Sequence, residues 1–307
     1  MDTAVNSPQR TQGTQRKKGK AVGCMACNFP SLCSLSSLWL NLTLGMKSLL
    51  CLLVTSLAVG ASAADRPLVF VFTGESNSGG IGRNAEAAPA ELAARSSVQI
   101  MNVTNGLFTF EPLLLGMNNL RDHAGLEGYY AGCHGLELGL ANAVEAGSFA
   151  GRKQVYLVKT GQGGSKIEQW APDHQSGYWK KFDQRLAAAT RQVPTNAQWV
   201  VWFSLGINDA IANTPVATWK QDTLAHLTRI KKALPGAPIV MTQFQSMKRY
   251  GETDKALAEI AAEEPGVFVV DSSGAGTEPD QNHWNYSGLK TVAQRMVETT
   301  VKALKKP

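Results

Sequence analysis

The chain has 307 residues, of which 44% are apolar and 18% charged, with 29 glycines and 13 prolines. This composition is that of a globular protein, and it excludes a collagen-like chain, a long disordered chain and a protein with many membrane spans. The net charge is +6, but residues 1–63 hold six basic side chains and one acidic side chain. Residues 64–307 carry 24 basic and 23 acidic side chains, so they lack a strongly basic surface and we expect no nucleic-acid partner.

The segment from Met46 onward has the layout of a secretory signal peptide. It begins with one lysine, continues as an apolar run from Leu49 to Val59, and ends on small residues up to Ala63. Small residues at this position form a cleavage site, and the apolar run is too short to span a bilayer comfortably. We therefore expect a secreted or periplasmic protein with no stable membrane association after cleavage. The alternative is an uncleaved N-terminal anchor.

Residues 1–45 precede a signal peptide, residues 46–63, that is complete without them. We interpret residues 1–45 as a gene-model extension or a disordered leader, and the alternative is an unusually long leader. Four of the five cysteines precede the expected cleavage point, so residues 64–307 contain only Cys133 and cannot form an internal disulfide. A chain of that length buries enough apolar surface to be stable without one. We expect residues 64–307 to form a single domain.

Short apolar runs, rich in valine, isoleucine, phenylalanine and leucine, recur along residues 64–307 with amphipathic stretches between them. The runs are Leu68 to Phe72, Val98 to Met101, Val155 to Val158, Trp199 to Leu205, Ile239 to Phe244 and Val267 to Val270. Continuous apolar strands that alternate with helices predict an α/β fold, in which helices cover both faces of a parallel sheet. The last helix is expected from about Ser287 to Leu304.

The most unusual residues of the chain lie in segments that come after four of these runs. The segments are TGESNSGG after the first run, KTGQGGSK after the third, SLGINDA after the fourth and PDQNHWNYSG after the last. In a parallel sheet the carboxyl ends of the strands lie at one edge, and ligands bind beyond that edge. We therefore expect the four loops to converge and form the functional site.

Ser76 follows the first strand directly, at a predicted tight turn on the edge of the sheet. A serine hydroxyl is a weak nucleophile unless a base takes its proton. His283 is the candidate base, and Asp280, three residues earlier, can turn back to accept a hydrogen bond from the imidazole Nδ1. We predict Ser76 as the nucleophile, His283 as the general base and Asp280 as the group that orients it. The alternative for Ser76 alone is a turn serine that caps the next segment.

Acyl transfer also needs hydrogen-bond donors that stabilise the developing oxyanion. Asn208, in GIND, offers a side-chain amide, and Gly163, in GQGG, offers a backbone N–H at close approach. The N–H of Ser76 completes a predicted oxyanion hole of three donors. The alternatives are a simple strand-to-helix turn for Asn208, and Gly164 in place of Gly163.

Other chemistries fit the sequence less well. The nucleophile elbow of many serine hydrolases requires GxSxG, and a P-loop requires GxxxxGK[ST], whereas the chain has GESNS and GQGGSKI. Residues 64–307 show no cluster of histidine, cysteine and carboxylate residues with the spacing of metal ligands. We expect neither a metal nor another cofactor.

The four loops together resemble the four blocks of the SGNH hydrolase superfamily, which is named for the Ser, Gly, Asn and His of those blocks. Within it, the chain is similar to the sialate O-acetylesterase-like branch, close to carbohydrate esterase family 6. The similarity extends from about Leu68 to Val301 and includes the segments GESNS, HGLELGLANAV and GQGGSKIEQW. It implies a flavodoxin-like, three-layer α/β/α fold with a mostly parallel sheet of about five strands. It also implies a metal-free deacetylation in two steps through an acyl-enzyme.

The chain departs from this branch in two blocks. Glu75 and Ser78 stand where the branch usually has glutamine and methionine, and GIND is closer to the GxND block of the wider superfamily. The remaining matches imply the same roles as above for Ser76, His283 and Asp280, with Gly163 and Asn208 as oxyanion donors. The departures leave the expected chemistry unchanged but bear on the specificity for acetylated sugars.

Four residues beside the motifs are candidates for binding the substrate. Trp170 and Trp284 can stack on a sugar ring or line an acyl pocket, and Glu75 and Asn77 flank the nucleophile. The alternative for the two tryptophans is packing in the core or at the rim of the site.

The leading hypothesis is an exported serine esterase that removes O-acetyl groups from carbohydrates, as sialate O-acetylesterases and acetylxylan esterases do. Its expected partner is a small-molecule or polysaccharide acetyl ester. The alternatives are a lipase, arylesterase or thioesterase with the same chemistry, and a catalytically silent carbohydrate-binding domain. Nothing in the sequence specifies the natural ester or the oligomeric state.

Overall fold

The computed structural model describes residues 66–103, 106, 108–118, 132–152, 154–247 and 250–305. The predicted leader and signal peptide, residues 1–45 and 46–63, lie outside the described residues. Among the helices of the described part, none is both long enough and apolar enough to cross a membrane.

The sheet is mixed but mostly parallel. The described strands are β1 (Leu68–Gly74), β2 (Gly82–Arg83), β3 (Arg95–Asn102), β4 (Thr109–Leu113), β5 (Cys133–His134), β6 (Val155–Lys159), β7 (Gln198–Ser204), β8 (Ile239–Thr242) and β9 (Val267–Val270). Seven of these described strands form one sheet in the order β4-β3-β6-β1-β7-β8-β9, and β2 pairs with β5. Neighbours in the large sheet run parallel except for β3 and β4.

Strand β1 lies at the centre of the sheet, between β6 and β7. All of its residues are buried, because helices cover both faces of a parallel sheet and a continuous apolar run is then favoured. Numbered along the chain, the five strands β6, β1, β7, β8 and β9 read 2-1-3-4-5 across the sheet, which is the flavodoxin-like order. The predicted α/β fold class is confirmed.

The sheet is wider than the expected sheet of about five strands. Strands β3 and β4 form an antiparallel pair on the outer side of β6. The apolar run from Val98 to Met101 predicts β3, but β4 reads TFEPL and has one buried residue. Its proline is tolerated because β4 is an edge strand. A partly exposed edge strand has no continuous apolar run, so that pattern could not predict it.

Helices lie on both faces of the sheet. The described helices are α1 (Ser76–Gly79), α2 (Pro89–Leu92), α3 (Glu137–Glu145), α4 (Tyr178–Thr190), α5 (Ile207–Ile211), α6 (Val216–Ala233), α7 (Gly251–Glu263) and α8 (Tyr286–Ala303), with 3-10 turns at Asn84–Glu86 and Ile167–Trp170. Helices α3 and α8 pack together, and α6 packs against α7. Adjacent residues of β7 point to opposite faces of the sheet. Trp202 donates to Thr300 of α8 at 3.0 Å on one face, and Phe203 packs against His226 of α6 on the other. The three layers are therefore helix, sheet and helix.

Candidate active site

The ends of β1 and β7 meet where the order of the strands reverses. The chain passes from β1 to β6 on one side of the sheet and from β7 to β9 on the other, and ligands bind at such points. Gly74 ends β1 with a φ of 127°, and a Cβ on it would lie 1.9 Å from the carbonyl oxygen of Ser204. Only glycine permits this approach. The N–H of Glu75 donates to the same carbonyl at 2.8 Å, which fixes Ser76 at the edge of the sheet.

Ser76, His283 and Asp280 form a chain of hydrogen bonds. Ser76 Oγ lies 2.8 Å from His283 Nε2, and His283 Nδ1 lies 2.6 Å from Asp280 Oδ2. A carboxylate can only accept, so Nδ1 carries the ring hydrogen and Nε2 presents its lone pair to the serine hydroxyl. The structure thus brings together three residues that the sequence separates by up to 207 positions, in the arrangement that their predicted roles require.

Asp280 is fixed by its own loop. Its Oδ1 accepts the backbone N–H of Asn282 at 2.9 Å and that of His283 at 3.2 Å. Partial burial opposes ionisation, but these bonds and the bond from the His283 ring lower the pKa of Asp280 below its ordinary value. The group that holds the imidazole is therefore an anion at neutral pH.

Asn77 joins the serine loop to the histidine loop. Its Nδ2 donates to the carbonyl oxygen of Asn282 at 3.0 Å, and its Oδ1 accepts the N–H of Trp284 at 3.3 Å. The Tyr250 hydroxyl donates to Asn282 Oδ1 at 2.6 Å. Asn77 therefore positions the backbone on both sides of His283, and its own side chain is buried.

Glu75 lies directly against the serine hydroxyl. The residue is fully buried, and its Oε2 is 2.8 Å from Ser76 Oγ. Its Oε1 accepts a hydrogen bond from Asn77 Nδ2 at 3.0 Å. Burial raises the pKa of Glu75 above its ordinary value, and the opposing influence of His283 and of the hydrogen bonds does not offset it. Glu75 thus contacts the Ser76 hydroxyl and has no exposed surface.

Asn208 lies near the Glu75 carboxyl group and against the third loop. Its Nδ2 donates to the carbonyl oxygen of Ser165 at 3.1 Å and lies 3.5 Å from Glu75 Oε2. The neighbouring Asp209 accepts the N–H of Ile167 through Oδ2 at 3.0 Å. Burial raises the pKa of Asp209 to about 6. The GIND loop and the GQGG loop are therefore held together next to the serine.

The GQGG loop also packs on the serine loop. The N–H of Gln162 donates to the carbonyl oxygen of Gly74 at 2.8 Å, and a Cβ on Gly161 would lie 2.0 Å from Ser78 Oγ. Gly163 is partly buried in this packing, whereas Gly164 is exposed. Gly163 therefore lies deeper in this packing than Gly164.

Trp170 and Trp284 do not lie where a substrate can reach them. Both side chains are fully buried, and an indole without an exposed face cannot stack on a sugar ring. Trp170 donates from Nε1 to Ser165 Oγ at 3.1 Å, and Trp284 donates from Nε1 to Ser246 Oγ at 3.0 Å. This burial favours the alternative of core packing for the two tryptophans, and Glu75 and Asn77 are buried as well. These side chains support the loops of the site.

Three further residues support the loops of the site, and the sequence-based prediction does not include them. Ser204 accepts the Glu75 N–H, Ser165 accepts the Asn208 amide, and Tyr250 holds Asn282. Ser204 begins the SLGIND segment and Ser165 lies within GQGGSK. Their positions inside these motifs therefore indicate that both lie close to the site. Tyr250 belongs to a segment without a motif, and only the folded structure places it.

The whole described domain matches a known family. A model of the family described as carbohydrate esterase, sialic acid-specific acetylesterase, matches residues 66–302, which confirms the resemblance seen in the motifs. A solved structure of an Arabidopsis thaliana protein is similar with a TM-score of 0.63 and 16% identity, over 76% of this chain and 98% of that chain. The structure of NanS is similar with a TM-score of 0.58 and 14% identity, over 78% of this chain and 97% of that chain. These two likenesses support the fold. A search of curated proteins found no match.

Proposed function

Because the chain belongs to the carbohydrate esterase family of sialic acid-specific acetylesterases, we propose that it removes O-acetyl groups from carbohydrates through an acyl-enzyme on Ser76. The family membership makes the protein a carboxylic ester hydrolase. The observation that carries the proposed mechanism is the pair of short contacts, 2.8 Å from Ser76 Oγ to His283 Nε2 and 2.6 Å from His283 Nδ1 to Asp280 Oδ2.

In the first step, Ser76 Oγ attacks the acetyl carbonyl carbon while His283 Nε2 takes the hydroxyl proton. The tetrahedral intermediate collapses when the bond from the carbonyl carbon to the sugar oxygen breaks, and His283 returns its proton to that oxygen. The products are the free sugar hydroxyl and acetyl-Ser76. Asp280 keeps the ring hydrogen on Nδ1 and stabilises the imidazolium while it exists.

In the second step, water attacks the acetyl carbon of acetyl-Ser76 and His283 takes a proton from the water. Acetate leaves when the bond to Ser76 Oγ breaks, and His283 returns the proton to the serine. In both steps a negative charge develops on the acetyl oxygen. We assign its stabilisation to the Asn208 amide and the N–H groups of Ser76 and Gly163, and such donors are each worth about 2.7–4 kcal/mol.

We also propose that the protein is exported. The support is the signal-peptide layout of residues 46–63. N-terminal sequencing of the secreted protein tests this, and the expected first residue is Ala64. A mature protein that retains the apolar run from Leu49 to Val59 would contradict cleavage.

The substitution Ser76→Ala tests the mechanism. Acetate release should be followed for O-acetylated sialic acid, acetylated xylan and 4-nitrophenyl acetate, with wild type and S76A side by side. Loss of the nucleophile should reduce kcat by about 10⁴-fold or more on each ester that wild type hydrolyses, and thermal stability should stay close to that of wild type.

Ser97→Ala is the matched control. The Ser97 hydroxyl is likewise bonded to a glutamate, Glu145, at 2.8 Å, but Ser97 is partly exposed on β3. S97A should therefore keep full activity. Turnover that survives in folded S76A would contradict the proposed nucleophile, and a wild-type protein without turnover on any acetyl ester would contradict the esterase function.

A further inference from the structure

The Ser76 hydroxyl has two acceptor groups within hydrogen-bond distance and only one hydrogen. Its Oγ lies 2.8 Å from His283 Nε2 and 2.8 Å from Glu75 Oε2. Since Asp280 holds the ring hydrogen on Nδ1, the Nε2 of neutral His283 has no hydrogen to give. The charge state of Glu75 therefore decides where the serine hydrogen points.

An ionised Glu75 is incompatible with a productive serine. Its carboxylate would take the serine hydrogen, because hydrogen bonds to an ionised acceptor are roughly twice as strong as neutral ones. Ser76 Oγ and His283 Nε2 would then face each other with lone pairs only, so no hydrogen bond could form between them. A proton moved from Glu75 to His283 would satisfy both contacts, but His283 could then no longer accept the Ser76 proton.

A neutral Glu75 satisfies every contact. Its Oε1 already faces donors, namely the N–H of Asn77 at 3.3 Å, Asn77 Nδ2 at 3.0 Å and Ser204 Oγ at 3.5 Å. The proton must therefore sit on Oε2, which faces Ser76 Oγ. Glu75 then donates to Ser76 Oγ, and Ser76 donates to His283 Nε2 in the direction that attack requires.

We propose, on the basis of the function proposed above, that Glu75 works in its neutral form as a hydrogen-bond donor to Ser76 Oγ, and that its ionisation switches off acylation. The carboxylate interferes in a second way, because Oε2 lies 3.5 Å from Asn208 Nδ2. A negative charge there engages the amide that is assigned to the oxyanion and repels the charge that develops on the substrate.

The surroundings of Glu75 favour the neutral form. Of the titratable groups near it, His283 faces it across Ser76, and Asp280 lies behind His283. Strand β7 contributes Ser204 and helix α5 contributes Asn208, neither of which ionises near neutral pH. The adjacent ionisable side chains are engaged elsewhere: Asp209 bonds the N–H of Ile167, and Lys159 bonds the carbonyl oxygen of Gly79 and pairs with Glu137. Full burial then keeps Glu75 protonated to a higher pH than an exposed glutamate.

The test is the pH profile of kcat/KM for wild type and Glu75→Gln, measured as acetate release. The glutamine carbonyl can take the place of Oε1 among the Asn77 donors, so the amide Nε2 donates to Ser76 Oγ at every pH. Wild type should lose activity on the alkaline side, as Glu75 ionises. E75Q should lack this alkaline limb, so the ratio of E75Q to wild type should rise about tenfold per pH unit along it.

Asp254→Asn is the matched control. Asp254 is another buried carboxyl group, its pKa is raised to about 6 by burial, and its Oδ1 accepts the N–H of Phe244 at 2.7 Å. It makes no contact with Ser76 among its hydrogen bonds in the described structure. D254N should therefore show the alkaline limb of wild type.

The outcomes separate this inference from the proposed function. An E75Q profile with the wild-type alkaline limb, or folded E75Q that is inactive at every pH, contradicts the role of neutral Glu75 while the S76A result still stands. If E75Q does not fold, infrared spectra of wild type decide: a protonated carboxyl band should disappear over the pH range in which activity disappears. Full activity after that band is lost would overturn the proposal.

Discussion

Two carboxyl groups flank the Ser76–His283 pair, and the fold treats them in opposite ways. Glu75 is fully buried against the serine, and burial raises its pKa. The Asp280 side chain is 34% exposed. Its partial burial alone would raise its pKa, but hydrogen bonds from its own loop and from His283 lower the pKa below the ordinary value. Each carboxyl group lies within 2.8 Å of an atom of this pair. Solvent access and hydrogen-bond donors, rather than residue type, therefore decide which carboxyl group has the raised pKa and which has the lowered pKa.

The largest expected effect comes from removing the charge of Asp280. In Asp280→Asn, the amide carbonyl oxygen should keep the place of Oδ1, which accepts the N–H groups of Asn282 and His283. The amide nitrogen would then face His283 Nδ1 and donate to it, which forces the ring hydrogen onto Nε2. We expect kcat to fall by about 10⁴-fold, measured as acetate release.

Asp271→Asn controls for the loss of a carboxylate in the same kind of turn. Asp271 accepts the N–H and the hydroxyl of Ser273 at 2.6 Å and 2.7 Å, and none of the described histidines is bonded to it. D271N should keep wild-type kcat. A D280N variant with activity equal to that of D271N would contradict the claim that His283 needs the charge of Asp280.

The second effect concerns Asn208, the amide that lies between Glu75 Oε2 and the Ser165 carbonyl. Asn208→Ala removes a donor that is needed in the transition state, so kcat should fall by about 10²–10³-fold with little change in KM. Steady-state kinetics on one soluble acetyl ester measure both constants. A higher KM with unchanged kcat would show that Asn208 binds the ground state of the substrate instead.

A smaller effect is expected for Trp170, which is buried and supports Ser165 beside Asn208. Trp170→Phe loses that hydrogen bond and some packing, so the free energy of unfolding should fall by about 1–3 kcal/mol. KM should stay within about twofold of wild type. A large rise in KM at unchanged stability would restore the sequence-based expectation that this indole contacts the sugar.

The smallest effect is on the pH dependence of stability, and it has opposite signs for the two carboxyl groups. Because the folded protein raises the pKa of Glu75, the stability it contributes is present at low pH and is lost as the pH rises through the folded-state pKa. For Asp280, whose pKa is lowered, the contribution is present at neutral pH and is lost as the pH falls through the folded-state pKa.

Thermal melts at several pH values measure this difference. The Tm of wild type relative to E75Q should fall toward high pH, and the Tm of wild type relative to D280N should fall toward low pH. Parallel curves for the two variants would contradict the opposite charge states. Each comparison uses wild type at the same pH, so general acid or alkaline destabilisation cancels.

Much of the fold could be predicted from the sequence because central parallel strands are apolar throughout. The run from Leu68 to Phe72 is buried on both faces of the sheet, and each of the other runs likewise predicts a strand. Strand β4 could not be predicted in this way, since an edge strand exposes one side and carries Pro112. Its place depends on pairing with β3 rather than on its own composition.

The candidate site, like the fold, could be predicted only in part from the sequence. Ser76, Asp280, His283 and Asn208 could be predicted to converge because each follows a parallel strand, and loops after parallel strands meet at one edge. Their catalytic roles remain predictions that the experiments above test. The burial of Glu75 could not be predicted, since adjacency in sequence to Ser76 does not reveal whether a side chain faces water. That property depends on β7 and α5 closing over the serine loop, through Ser204 and Asn208.

If the Ser76 hydroxyl is the group that becomes acylated, a covalent reagent for reactive serines should modify it. The protein should be treated with diisopropyl fluorophosphate, and the modified residue located by peptide mass spectrometry while acetate release is followed in the same samples. We predict one label per chain on Ser76, with activity lost in proportion to labelling and with slower labelling in the presence of an acetylated sugar. A label on another residue that abolishes activity, or turnover that continues after Ser76 is fully labelled, would contradict the claim.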